Sequence, residues 1–132
     1  MSITETSMYK YLMQNYNEKK DAVAMSFLHK KFTYGFLSDE IDRIACFLKN
    51  HGIEKGDRVT IALPNIPSAV SSFYAVNKIG AVANMVHPLV PYELLSEYMK
   101  DTGSKLLFAF DTLLDGYFDR LIEDGFRVVV CK

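Results

Sequence analysis

GIEKGDRVTIALPNIPSAVSSFYAVNKIGAVANMVHPLVPYE, residues 52–93, decides the fold. Within it Arg58 to Leu63 reads RVTIAL, a run rich in β-branched and apolar side chains. A run of that kind suits a strand covered on both faces. Pro64 and Pro67 stop it, because neither ring leaves an N–H for the ladder. Pro67 suits the first position of a helix, where its missing N–H would have had no partner. That helix extends to Ile79 and closes at Gly80. Ala81 to Val86 is the next strand, and Pro91 opens another helix with Glu93 in its first turn, where a carboxylate meets the helix dipole favourably.

The same alternation continues outward. The helix begun at Pro91 ends near Gly103, Lys105 to Phe110 is a third strand, Leu113 to Glu123 a crossover helix, and Arg127 to Val130 a fourth strand. Strands alternating with helices, joined by right-handed crossovers, give an α/β fold with a parallel sheet of about four strands and helices on its faces. The sequence does not fix the strand order.

Upstream, Leu37, Ile41, Ile44, Ala45 and Leu48 form one helical stripe in a helix that begins near Thr33. Gly52 suits the left-handed position after it, and Ile53 can fold back onto its last turn. Val23 to Tyr34 reads as an N-terminal β-hairpin turning at His29-Lys30, at the sheet's edge or beside it. That turn lacks the glycine or Asn-Gly that tight hairpin loops prefer. Residues 6–17 carry Met8, Tyr9, Leu12, Met13 and Tyr16 at helical spacing, the pattern of one short amphipathic helix.

Bulk properties exclude several classes. A formal net charge of -1 is not the basic surface that nucleic acid requires. No apolar run approaches the roughly 20 residues that span a bilayer, and the first residues lack a secretory pattern. Cys46 and Cys131, far apart in sequence, fit a reducing, cytoplasmic compartment with buried free thiols; a disulfide between them is the alternative. There is no repeat or linker, so residues 1–132 read as a single domain.

Chemistry-bearing residues are sparse. The seven glycines lie no closer than four positions apart, so no glycine-rich phosphate cradle exists. Three scattered histidines and two distant cysteines offer no metal-ligand spacing. Ser71-Ser72 lacks the GxSxG surroundings of a nucleophile. Cys46 falls near the apolar stripe and reads as packed. Asp39-Glu40 and Glu123-Asp124 read as solvated charges, as do His29 and His51. Phe73, Tyr74, Tyr92 and Tyr98 fit a core or an acyl pocket. His87, at a strand's C-terminal end where α/β folds place ligands, is the best-placed titratable group.

Five segments in order carry a resemblance: Phe32-Thr33-Tyr34; Gly56-Asp57-Arg58-Val59 with Leu63-Pro64-Asn65-Ile66-Pro67; Asn77-Lys78-Ile79-Gly80-Ala81-Val82; Met85 through Leu94; and Ser104-Lys105-Leu106-Leu107-Phe108. Together they resemble the N-terminal part of the adenylate-forming (AMP-binding) superfamily, most closely its acyl-CoA synthetases. One departure is Phe36, where many members have the Glu that closes a capping box with the residue equivalent to Thr33. The resemblance implies a partial N-terminal domain of that fold. It also implies an ATP-dependent, AMP-forming acid–CoA ligase, in which a carboxylate attacks Mg-ATP to give an acyl-adenylate and coenzyme A then forms the thioester.

The family's phosphate loop, Thr-Glu pair, ribose-binding Asp and C-terminal Lys have no counterpart here. The resemblance therefore assigns no catalytic residue and no tightly held ATP, Mg or coenzyme A to this chain, which would be inactive alone and would self-associate through an uncovered apolar face. What it does carry over is a coenzyme-side loop, His87, Pro88 and Leu89, where short-chain relatives have glycines. Small-molecule carboxylic acid and coenzyme A are the implied partners of the whole enzyme. The alternatives are a stand-alone nucleotide-, coenzyme A- or protein-binding module, and an amino-acid-adenylating or luciferase-like member.

Overall fold

Val59 and Ile61 point to one face of a central strand and Thr60 and Ala62 to the other, and all four are buried. This two-sided burial follows from the RVTIA run and builds the whole domain around it. The computed structural model describes residues 6–132. In chain order the elements are α1 (Met8–Leu12), α2 (Tyr16–Lys19), β1 (Val23–Phe27), β2 (Lys30–Thr33), α3 (Tyr34–Asn50), β3 (Arg58–Ala62), α4 (Pro67–Lys78), β4 (Val82–Met85), α5 (Tyr92–Thr102), β5 (Leu106–Phe110), α6 (Phe118–Glu123) and β6 (Val128–Cys131).

The four-stranded sheet is parallel throughout, in the order β4-β3-β5-β6. On one face α3 and α4 set Leu37, Ile41, Ala45, Leu48, Ala75 and Val76 against Val59, Ile61, Leu106 and Phe108. On the other, α5 and α6 set Leu95, Met99 and Leu121 against Ala62, Leu107 and Ala109. Ile41, Leu48, Ile61, Leu95, Leu107 and Leu121 are each no more than 1% exposed. Burying a side chain of that size stabilises by roughly 1.5–3 kcal/mol. The alternation along β3 and β5 thus serves two cores at once.

A polar cluster threads the α5 face. Thr60, fully buried, donates to Ser104 at 2.6 Å and accepts from the Asn84 amide at 3.2 Å, while Thr102 meets Ser104 at 2.9 Å. It ties β3, β4 and the end of α5 together without an orphaned group. In α4 the Ser71 hydroxyl donates to the Pro67 carbonyl, whereas the buried Ser72 hydroxyl has no partner.

α3 ends as its sequence dictates. Gly52 takes φ +81°, and the Ile53 N–H donates to the Leu48 carbonyl at 3.0 Å, which buries Ile53. At its start the Thr33 hydroxyl accepts from the Phe36 N–H at 3.1 Å. The reciprocal half of the capping box is absent, and Phe36 packs on Phe32 instead, ring centroids 5.0 Å apart.

The hairpin stands beside the sheet, one of its two expected positions, as its own two-stranded unit packed on α3. Several other expectations need correction. The hairpin's turn is Leu28-His29, one residue earlier than read, with φ 48° and 64°, and Lys30 pairs with Phe27. A two-residue hairpin loop of the type I′ kind needs left-handed backbone at both positions, and these non-glycine residues supply it under strain. The single N-terminal helix is two short ones, split at Asn15 with φ 58°; asparagine tolerates that conformation. The Tyr9 N–H donates to Asn77 Oδ1 at 2.8 Å, docking α1 on the end of α4. The Leu113 to Glu123 helix is a 3-10 turn (Asp111–Leu113) followed by the shorter α6, because Gly116 at φ +93° interrupts it.

Cys46 is exposed rather than packed: it follows the buried Ala45, which turns it about 100° off the apolar stripe. Cys131 is half-buried, burial pushes its thiol up, and both cysteines are free. Asp124 is not merely solvated, since it accepts from the buried Tyr92 hydroxyl.

Candidate functional site

The chain leaves β3 through α4 to β4 on one side, then returns through α5 to β5 on the other. β3 and β5 are neighbours whose exits diverge to opposite faces of the sheet. In parallel sheets that divergence opens a crevice beyond the strands' C-terminal ends, where ligands bind. A concavity of about 480 Å³ lies there, lined by Pro64 and Asn65 after β3, His87, Pro88 and Leu89 after β4, and Phe110 and Thr112 at the end of β5. Three loops that the sequence separates by more than twenty residues meet at one edge.

His87, Pro88 and Leu89, the three residues expected from sequence, are gathered by the fold into this crevice. Asn65, Phe110 and Thr112 join them without having been expected there. The Pro64-Asn65-Ile66-Pro67 elbow was the available signal for Asn65, because two prolines end the ladder and leave the residue between them just past the strand's C-terminal end.

Local geometry fixes the loop. His87 Nδ1 accepts from the Leu89 N–H at 3.1 Å, and the His87 carbonyl accepts from the Val90 N–H at 3.2 Å. Nδ1 being an acceptor assigns the ring proton to Nε2. No residue of this loop takes a left-handed φ, so the turn forms without glycine. His87 is exposed and Leu89 is 70% exposed. The lining carries no Lys, Arg, Asp or Glu. The crevice therefore offers uncharged donors and acceptors (Nε2–H, the Asn65 amide, the Thr112 hydroxyl) beside the apolar surfaces of Phe110 and Leu89. It suits the uncharged part of a ligand rather than a phosphate.

Behind the crevice, α5 is locked to α6. The Tyr92 hydroxyl also meets the Arg120 carbonyl at 3.2 Å, the Arg120 guanidinium stacks 4.0 Å over the Tyr92 ring, and it pairs with Glu93 at 3.1 Å. Burial foremost, then the Asp124 carboxylate, pushes the Tyr92 phenol up. Tyr92 thus packs rather than lining an acyl pocket; Phe73 and Tyr74 pack against the α3–α4 core, and Tyr98 is partly exposed. His29 and His51 are exposed.

The fit to the family's cofactors divides. No group of three or more His, Cys, Asp or Glu able to hold a metal ion occurs among the described residues. No glycine-rich turn presents successive N–H groups to phosphates. ATP and Mg are therefore not fitted by these residues. No helix among the described residues is long and apolar enough to cross a membrane.

A parallel α/β sheet with a crevice at its switch point is the arrangement of a broad class of α/β domains. Residues 12–128 match the family described as AMP-binding enzyme, and the chain belongs to it. Acetyl-coenzyme A synthetase of Penicillium chrysogenum is 42% identical over 82 residues, 62% of this chain and 12% of that protein. The long-chain-fatty-acid–CoA ligase of Bacillus subtilis is 33% identical over 93 residues, 70% of this chain and 17% of that protein. The solved benzoate CoA ligase of Burkholderia xenovorans superposes with a TM-score of 0.89 at 16% identity, over 96% of this chain and 26% of that one. The fold is thus that of adenylate-forming ligases, and the chain spans less than a fifth of the two relatives' length.

Proposed function

We propose that this chain forms the N-terminal subdomain of an ATP-dependent, AMP-forming acid–CoA ligase, with a small carboxylic acid, ATP, Mg and coenzyme A as the whole enzyme's substrates and cofactors. The observation that carries the reading is the crevice at the β3–β5 switch point, inside the stretch shared with the AMP-binding enzymes. Residues outside these 132 supply the phosphate and metal contacts, so the isolated chain is inactive. The free thiols Cys46 and Cys131 support a cytoplasmic setting.

Within that enzyme the crevice is the coenzyme-side surface. His87 presents Nε2–H, held in place by the Leu89 N–H, as a neutral donor to an amide or ring acceptor of the coenzyme. Leu89 and Phe110 cover its apolar parts and exclude water there. ATP, held by residues outside these 132, would supply the activation of the carboxylate; this chain's residues orient the thiol carrier and take no proton from it. The test is the protein encoded by the complete reading frame, assayed for ATP–pyrophosphate exchange and for thioester formation with a panel of carboxylates. Exchange and thioester formation by the complete protein, with neither by the 132-residue chain, are the expected results. Absence of both in the complete protein refutes the ligase reading and leaves a nucleotide-, coenzyme A- or protein-binding module.

A further inference from the structure

Two walls of the crevice lie on separate loops, and one side chain joins those loops from behind. The first wall is the loop carrying His87, Pro88 and Leu89. It leaves the sheet at Val86, whose N–H donates to the Ile61 carbonyl at 3.0 Å, and it ends at Tyr92, the first residue of α5. The second wall is Phe110 and Thr112, on the path from β5 into α6. Tyr92 reaches across to that path. Its hydroxyl donates to the Asp124 carboxylate, with the Arg120 carbonyl beside it at 3.2 Å, and its ring packs on Tyr117, centroids 5.8 Å apart. The Arg120 guanidinium closes the stack 4.0 Å over the same ring.

The loop needs such an anchor. The two hydrogen bonds that shape it, Leu89 N–H to His87 Nδ1 and Val90 N–H to the His87 carbonyl, both lie within it. Bonds of that kind hold a loop's shape only while its ends stay in place, and a binding group keeps its aim only when neighbouring contacts lock it. α5 starts at Pro91 without a side-chain cap, so the packing of Tyr92 stands in for one. Exposure falls from 70% at Leu89 to 7% at Tyr92, three residues later. The Arg120–Glu93 ion pair is exposed on both sides and adds little. The buried hydroxyl and ring of Tyr92 carry the anchorage.

We propose that Tyr92 is a positioning residue: clamped by Asp124, Arg120 and Tyr117, it holds the His87 loop beside the β5–α6 turn and keeps Nε2–H aimed into the crevice. It does not line the crevice itself and acts through His87. This inference rests on the reading of the crevice as the coenzyme-side surface and deepens it. α6, which contributes no lining residue, thereby acquires a part in binding.

Tyr92→Phe tests the clamp, because it removes the hydroxyl and keeps the ring. In the 132-residue chain, the Leu89 and Val90 amides of the variant should exchange with solvent about fivefold faster, the size of one lost hydrogen bond. The imidazole nitrogens of His87, read by NMR in alkaline solution where the ring is neutral, should pass from the single Nε2–H tautomer to a mixture. In the protein of the complete reading frame, the KM for coenzyme A should rise about threefold with ATP–pyrophosphate exchange unchanged. Combining Tyr92→Phe with His87→Ala should raise that KM no further than His87→Ala alone, since one residue acts through the other. A purely structural role would lower the melting temperature and leave these readouts unmoved. Unchanged Leu89 exchange with a single His87 tautomer overturns the proposal, as does a KM effect fully additive with that of His87→Ala. A complete protein that is inactive with Tyr92 in place refutes the ligase reading instead, and the amide and tautomer measurements then decide the clamp by themselves.

Discussion

β3 (RVTIA) and β1 of the hairpin (VAMSF) are both short and rich in apolar side chains, and they end in opposite states. β3 is paired on both sides and buries four of its five residues. The hairpin pairs only with itself, buries none of its residues, and lifts Leu28 to 76% exposure. A strand sandwiched between helices has every apolar side chain satisfied. The hairpin rests on α3 by one side alone, so Phe27 and Phe32 stay partly exposed. Buried apolar contact is therefore concentrated in the three-layer body.

The largest effect should fall on the body. Ile61→Ala, at a fully buried position, is expected to cost about 2–5 kcal/mol in chemical denaturation. Leu28→Ala should change stability by no more than about 0.5 kcal/mol, as exposed changes do. Equal losses would break the contrast. Thr60→Val should come next, at about 1–3 kcal/mol, because it removes two buried hydrogen bonds at once and leaves Ser104 and Asn84 with Thr102 alone.

Leu28→Gly should act in the opposite direction. A gain of about 1 kcal/mol in melting experiments is expected, since glycine removes the cost of left-handed backbone. A loss would mean that Leu28 is held by packing rather than tolerated by it.

The smallest effect is a pH dependence. The hydrogen bond to Asp42 holds the Lys78 ammonium above its ordinary value, and burial holds the Tyr92 phenol up. A group with a raised folded-state pKa contributes fully below its unfolded value, and the contribution fades as pH rises through the raised one. Melting temperature should therefore fall above about pH 10, and Asp42→Asn with Tyr92→Phe should flatten that fall. An undiminished slope in the double variant would remove both groups from the account.

The parallel body was legible because each signal was local: the β-branched run at Arg58, the Pro67 start, and the Gly52 and Gly103 ends lie where the chain itself places them. The hairpin turn was misread by one residue because the loop lacks a glycine to mark its left-handed positions. The break at Gly116 went unseen because the apolar spacing on either side continues across it. Strand order needed tertiary packing. It decided that Phe110 and Thr112 join His87, and those residues sit more than twenty positions apart with no shared motif. Cys46 was misplaced for a plainer reason, the 100° step of the helix.

The central claim is that the His87 loop faces the coenzyme. It is tested most directly in the protein of the complete reading frame carrying His87→Ala, by measuring ATP–pyrophosphate exchange and the thioester step separately. The account predicts unchanged exchange and a KM for coenzyme A raised about fivefold or more, the loss of one neutral hydrogen bond and its ordered loop. A variant with impaired exchange and an unaltered KM for coenzyme A would contradict it and move the crevice to the adenylate side.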